Sequence, residues 1–169
     1  MQIYIIGFMG SGKSTFGKAL AEEIGYGFVD LDKEIEKREK STIQKIFTEK
    51  GEDAFRKAEH EALLASVNEE NIVVATGGGA PCFQDNMKWM NDRGLTIYLK
   101  LFEGELKRRI EPEMEHRPLL KDLDSEGLER FVYNTLRERA VYYHQAKVVI
   151  NPLIITPENM AAILRENYM

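Results

Sequence analysis

Gly7-Phe8-Met9-Gly10-Ser11-Gly12-Lys13-Ser14-Thr15 follows directly on the apolar run Ile3-Tyr4-Ile5-Ile6. The run reads as a buried strand, and Phe16, Leu20, Ala21 and Ile24 then recur at helical spacing. Strand, glycine turn, helix is the context in which G-x4-G-K-[ST] acts as a phosphate-binding loop. The glycines let backbone N–H groups curl around an anion, and the new helix turns its positive end toward it. Lys13 adds a mobile charge for the β- and γ-phosphates, and the Ser14 hydroxyl suits Mg²⁺. At average residue usage a chance match in a chain of 169 residues falls well below roughly 1 in 100. The loop, Gly10 to Thr15 above all, is therefore read as a nucleoside triphosphate site.

The remaining chain supplies a frame for that loop. Strands are predicted at 2–6, 28–32, 72–76, 95–99 and 148–150, and helices at 13–25, 33–40, 42–50, 52–68, 83–93, 103–110 and 125–145. A further helix opens at Pro157, and 111–124 reads as irregular. Ile72-Val73-Val74-Ala75-Thr76 is continuously apolar, as a strand covered on both faces requires. Alternating strands and helices predict an α/β domain with a parallel sheet between two helical layers. No linker or repeat divides residues 1–169, so one domain is expected.

Composition narrows the function classes. Hydrophobic residues make up 43%, charged residues 30%, and the net charge is −5. Without a basic block, nucleic acid is not an expected partner. No run approaches the ~20 apolar residues of a membrane span, and the immediate start in a strand argues against a leader peptide. The single cysteine, Cys82, permits no internal disulfide and fits a reducing cytoplasm; its thiol reads as a small buried apolar group. His60, His116 and His144 lack ligand spacing, and Trp89 and Met90 read as packing residues.

Phosphoryl transfer needs one group near the metal and another to orient and deprotonate an acceptor hydroxyl. No N-K-x-D guanine-reading element is present, and the third strand ends in Thr76 and glycines where an acid often stands. Asp30 and Asp32, placed at i and i+2 of the second strand, are then the available carboxylates, on one face beside the loop. Asp32 alternatively caps a helix starting at Lys33.

Beyond these elements the chain resembles the shikimate kinase family along almost its whole length. The phosphate loop and Val29-Asp30-Leu31-Asp32 fit, as do Ile46-Phe47, Gly51-Glu52, Phe55-Arg56 and Glu59. Gly77-Gly78-Gly79, Arg117-Pro118-Leu119-Leu120 and Arg139-x-x-x-Tyr143 complete the set, with no departure at a position used for chemistry. The resemblance implies a three-layer P-loop kinase fold on five parallel strands, with a substrate-binding helical region at 33–61 and a mobile lid at 111–124. It implies Mg²⁺ and ATP as cofactor and co-substrate, and a monomer. By it Asp32 holds the substrate hydroxyls as general base, while Ser14 and Asp30 serve Mg²⁺. Arg56 and Arg139 clamp the substrate carboxylate, with Gly78 and Gly79 against the ring. Arg117 folds from the lid onto the phosphates, and Arg109 and Pro157 flank adenine, with Arg108 one register slip from Arg109.

Each arginine also has a plainer reading. Arg56 has helix ion-pair spacing to Glu52 and Glu59, Arg139 stands on a charged helix, and Arg117 on a loop. Rival functions are a gluconate-type sugar-acid kinase and a nucleotide-dependent regulatory module without turnover.

Overall fold

β1 (Gln2–Ile6) runs between β3 (Ile72–Ala75) and β4 (Leu95–Leu99), parallel to both. The computed structural model describes residues 1–66, 70–117 and 119–169. Pro118, the last residues of the helix expected to 68, and the side chain of His116 lie outside the described residues. β2 (Gly27–Asp30) pairs with β3, and β5 (Val148–Ile150) with β4, giving a five-stranded parallel sheet in the order β2-β3-β1-β4-β5. Chain direction across the sheet reverses around β1, and ligands of such sheets lie at the carboxyl ends beside such a reversal.

Alternate residues of each strand feed opposite cores. Ile3 and Ile5 of β1, with Val73 and Ile97, pack against Phe16 and Leu20 of α1 (Lys13–Ile24) and Met160 and Leu164 of α7 (Pro157–Asn167). Tyr4 and Ile6, with Val74 and Tyr98, face the other layer. That layer holds α2 (Leu31–Glu39), α3 (Ile43–Ala65), α4 (Asn86–Arg93), α5 (Glu103–Ile110) and α6 (Ser125–Tyr143). The three-layer α/β architecture is the one expected.

Punctuation follows local chemistry. Gly25 stops α1 in the left-handed conformation (φ 71°), its N–H bonded back to Ala21 and Glu22. Gly51 (φ 85°) kinks α3 where two helices were expected, and Phe47 and Phe55 stack across the kink at 4.5 Å between ring centroids. The start of the stretch expected to be irregular is regular instead: Glu111–His116 continues α5 as a 3-10 turn with Pro112 in its first turn. α4 is shorter than expected, since Gln84 (φ 50°) and Asp85 (φ 56°) take left-handed conformations that delay its start to Asn86.

The junction of α4 and β4 allows a direct test of packing. Gly94 ends α4 in extended backbone, and a Cβ there would run into the carbonyl of Gln2 at the start of β1. Gly94→Ala is expected to cost about 1–3 kcal/mol by overpacking. Urea unfolding should show a lower midpoint with an unchanged slope.

Candidate active site

The phosphate loop leaves β1 and enters α1 with Gly10 (φ 75°) and Gly12 (φ 89°) in left-handed conformations. These turn the loop N–H groups inward ahead of the α1 N-terminus. Lys13 donates to Phe8 O at 2.9 Å, which arches its side chain back over the loop. Ser14 and Thr15 are exposed at the rim, while Ser11 is buried.

The two acids are placed differently from the expectation. The strand ends at Asp30 and the chain turns into α2 at Leu31, so Asp32 stands in the first helical turn and not on a strand. Asp30, not Asp32, is the cap: its Oδ1 accepts from Lys33 N at 3.3 Å. A capping carboxylate starts the helix one residue before the pattern of apolar residues would stop the strand. Burial of Leu31 and Ile35, one turn apart, then secures α2. Both acids still reach the cleft. Ser14 Oγ donates to Asp30 Oδ2 at 2.5 Å, and the Asp32 carboxylate makes no side-chain hydrogen bond among the described residues.

Opposite the loop stands Gly77-Gly78-Gly79, fixed by Thr76, whose N and Oγ1 both donate to Ile5 O at 3.1 Å. Each glycine abuts a different functional side chain. A Cβ on Gly77 would strike Glu59 Oε1 and come within 3.2 Å of Asp32 Oδ1. On Gly78 it would stand 3.3 Å from Arg139 Nη1, and on Gly79 2.6 Å from both terminal nitrogens of Arg56. Tyr143, buried on α6, donates to Gly78 O at 2.6 Å and holds this backbone from behind. Bare backbone is therefore required for Asp32, Glu59, Arg139 and Arg56 to converge.

Between the two glycine segments lies a cavity of about 750 Å³. Gly10, Gly12, Lys13, Ser14, Thr15, Asp30, Asp32, Arg56, Gly78, Gly79, Arg109, Arg117 and Arg139 all line it. Ser11 belongs to the loop but not to the lining, and Pro157 is not brought to the cavity: it opens α7 behind the capping box of Thr156 and Asn159. Arg108 and Arg109 both grip Glu105 and both line the cavity, but only Arg109 also reaches Gly10 O, at 3.5 Å. The paired arginines hold the Glu105 carboxyl down at about 2. Arg117 donates to Glu113 at 2.8 Å one turn earlier.

Polar atoms without partners cluster here. Among the described residues, the buried side-chain atoms lacking a hydrogen bond are Ser11 Oγ, Glu59 Oε1, Arg117 Nε and Arg139 Nη1. Buried polar groups are normally satisfied; Glu59, Arg117 and Arg139 all line the cavity, and the two free guanidinium nitrogens suit a polar, anionic ligand. The Arg56 reading as an exposed helix pair is corrected: its side chain is 10% exposed and that of its partner Glu59 only 1%, at 2.8 Å. Sequence reasoning gave Glu59 no role, although Phe55, Ala62 and Leu63 share its helix face and place it inside. Ile43, Phe47 and Phe55 form an apolar wall that was also missed.

Charge in the cleft is strongly perturbed. Burial pulls Lys13 down from 10.5 to about 8, with Arg117 and Arg139 adding to the fall and Asp32 opposing it. Burial raises Asp32 above the usual carboxylate range against the pull of Lys13. Glu59 is likewise raised by burial, with Arg56 opposing.

A family model described as shikimate kinase matches residues 9–166. The chain belongs to the shikimate kinase family. The shikimate kinase of Phocaeicola vulgatus is 44% identical over 146 residues, covering 86% of this chain and 83% of that one. The crystal structure of shikimate kinase from Bacteroides thetaiotaomicron superposes with a TM-score of 0.89 at 38% identity, covering 98% and 97% of the two chains. That of the Acinetobacter baumannii enzyme, a complex with shikimate, gives 0.87 at 32% identity over 99% and 95%. A gluconokinase from Sinorhizobium meliloti, at 20% identity and TM-score 0.57 over 98% and 91%, shares the fold alone. Membership makes the chain an ATP-dependent kinase of a small molecule.

The lowered Lys13 sets a pH test. A triphosphate favours the charged ammonium, so binding must raise the Lys13 pKa and take up a proton between about 8 and its ordinary 10.5. Calorimetry of ATP binding in buffers of differing ionisation enthalpy should show little uptake at pH 7. It should show roughly half a proton at pH 8 and more at pH 9.

Proposed function

We propose that this chain transfers the γ-phosphoryl group of ATP to the 3-hydroxyl of shikimate, giving shikimate 3-phosphate and ADP on the route to chorismate and the aromatic amino acids. The observation that carries this is the placing of Asp32, Arg139 and Arg56 against three successive glycines, facing the phosphate loop across one cavity. A small hydroxylated acid is the ligand whose chemistry matches that order. Its carboxylate meets two guanidinium forks, and its ring lies on bare backbone at Gly78 and Gly79. One hydroxyl then points to Asp32 and the loop.

In this reading Asp32 accepts the proton of the attacking hydroxyl. A carboxyl raised by burial is a stronger base than a solvated one, and the Lys13 charge opposes that rise. Lys13 and the loop N–H groups hold the transferring charge. Arg117 exchanges Glu113 for the phosphates as the segment 111–124 closes, which excludes water as a competing acceptor. Arg109, braced on Glu105, flanks the nucleobase.

Ser14 Oγ and Asp30 Oδ2, 2.5 Å apart, are hard oxygens at the cleft rim. They fit Mg²⁺, which takes few protein ligands and keeps its waters. When bound, the ion supplies charge neutralisation on the β- and γ-oxygens. The resemblance and the single cysteine also favour a monomer acting in the cytoplasm.

ADP release should occur with ATP, Mg²⁺ and shikimate, and not with gluconate, nucleoside monophosphates or no acceptor. ADP formed only with another acceptor would discard the carboxylate clamp, and none at all would favour a regulatory module. Asp32→Asn should lower kcat by about 10²–10⁴-fold while ATP still binds. Arg117→Ala should act mainly on kcat, and Arg139→Ala should raise KM for shikimate by about 10–100-fold, the loss of a charged hydrogen bond.

A further inference from the structure

The guanidinium of Arg56 is enclosed more completely than ion pairing alone explains. Nη1 donates to Glu59 at 2.8 Å, and Nη2 and Nε donate to Glu52 at 3.2 and 3.3 Å. Three of its five N–H groups are thus engaged by its own helix. Its flat faces meet aromatic rings: Cζ lies 4.2 Å from the centroid of Phe83 and 5.1 Å from that of Phe55. Phe55 is buried in the cavity wall. Phe83 is different, for it is 36% exposed and does not line the cavity.

Phe83 is held in place at a backbone cost. The two residues after it, Gln84 (φ 50°) and Asp85 (φ 56°), both take left-handed conformations that side chains other than glycine disfavour. Asn86, buried at 1% exposure, ties the turn together: its N–H donates to Phe83 O at 3.0 Å and its amide to Ala80 O at 2.9 Å. Its Oδ1 meets His60 Nδ1 at 2.6 Å, which fastens the turn to the helix bearing Arg56. A strained, doubly anchored turn thus presents one ring to one cation.

We propose that Phe83 is a positioning residue for the substrate carboxylate. Its ring face fixes the plane of the Arg56 guanidinium through a cation–π contact and keeps water from its back, so that the two remaining N–H groups meet the acid in a set orientation. The proposal rests on Arg56 as carboxylate clamp. Phe83 touches Arg56 and not the substrate, so its effect belongs to acid binding and not to the chemical step or to ATP.

The test is steady-state kinetics on the full chain with Phe83→Leu, Phe83→Tyr, Arg56→Lys and the Phe83→Leu/Arg56→Lys double variant, each checked by its melting midpoint. Phe83→Leu keeps apolar bulk without the π face. It should raise KM for shikimate about three- to tenfold, with kcat and KM for ATP within about twofold. Phe83→Tyr should restore KM, and Phe83→Leu should lose most of its effect beside Arg56→Lys, whose ammonium has no plane to hold. Should Arg56→Lys leave KM for shikimate unmoved, the clamp itself fails and this proposal with it. Should Arg56→Lys raise KM while Phe83→Leu leaves it unmoved, the clamp stands and the role of Phe83 is overturned. An equal effect on KM for ATP, or a full effect in the double variant, overturns that role in the same way. If Phe83→Leu lowers the melting midpoint, Phe83→Met replaces it under the same criteria.

Discussion

Two hydrogen bonds from Thr76 to the carbonyl of Ile5 join the ends of β3 and β1, and the cleft depends on that joint. They bring the phosphate loop and the triple glycine so close that a Cβ on Gly78 would lie 3.2 Å from Met9 N. In the proposed function one segment answers to phosphate and the other to the acceptor. Their spacing is set by sheet pairing and by the Thr76 hydroxyl. The helices then deliver charges to a frame that already exists: α2 brings Asp32, α3 brings Arg56 and Glu59, and α6 brings Arg139.

Those charges are balanced for a visitor. Glu59 and Glu52 compensate Arg56, Glu113 compensates Arg117, and Glu105 compensates Arg109. Arg139 has no carboxylate partner within 4 Å among the described residues, and Lys13 feels Asp32 and Asp30 against the opposing charges of Arg117 and Arg139. Removing a lone charge from water is costly; in the proposed function the carboxylate partners hold these cations until a ligand arrives. Glu59 differs from these partners: it is buried and packed against Gly77, beside Asp32 and Arg56.

Much of this was legible in order along the chain. A phosphate loop is a contiguous motif whose physics is local, and five apolar runs of strand length leave few ways to build a sheet. The boundary at Asp30 was not legible, because an aspartate that ends a strand and one that caps a helix occupy the same sequence position. Only the hydrogen bond to Lys33 N separates them. Arg56 shows a second limit: i,i+3 and i,i+4 ion pairs have one spacing whether exposed or buried. Its apolar neighbours carried the distinction. Pro157 was a different matter, since an N1 proline announces a helix start and carries no information about what lies across from it.

Cys82 sits half-buried in the 3-10 turn beyond the glycines, with its thiol pushed up to about 11 by burial. The thiolate is the reactive form, so at neutral pH the native protein offers almost no nucleophilic sulfur. A cysteine introduced at exposed Leu119, on the rim of the cavity, would be alkylated by a maleimide dye against a nearly silent background. The enzyme thus needs no cysteine-free ancestor before a fluorophore is attached at the rim of its cavity.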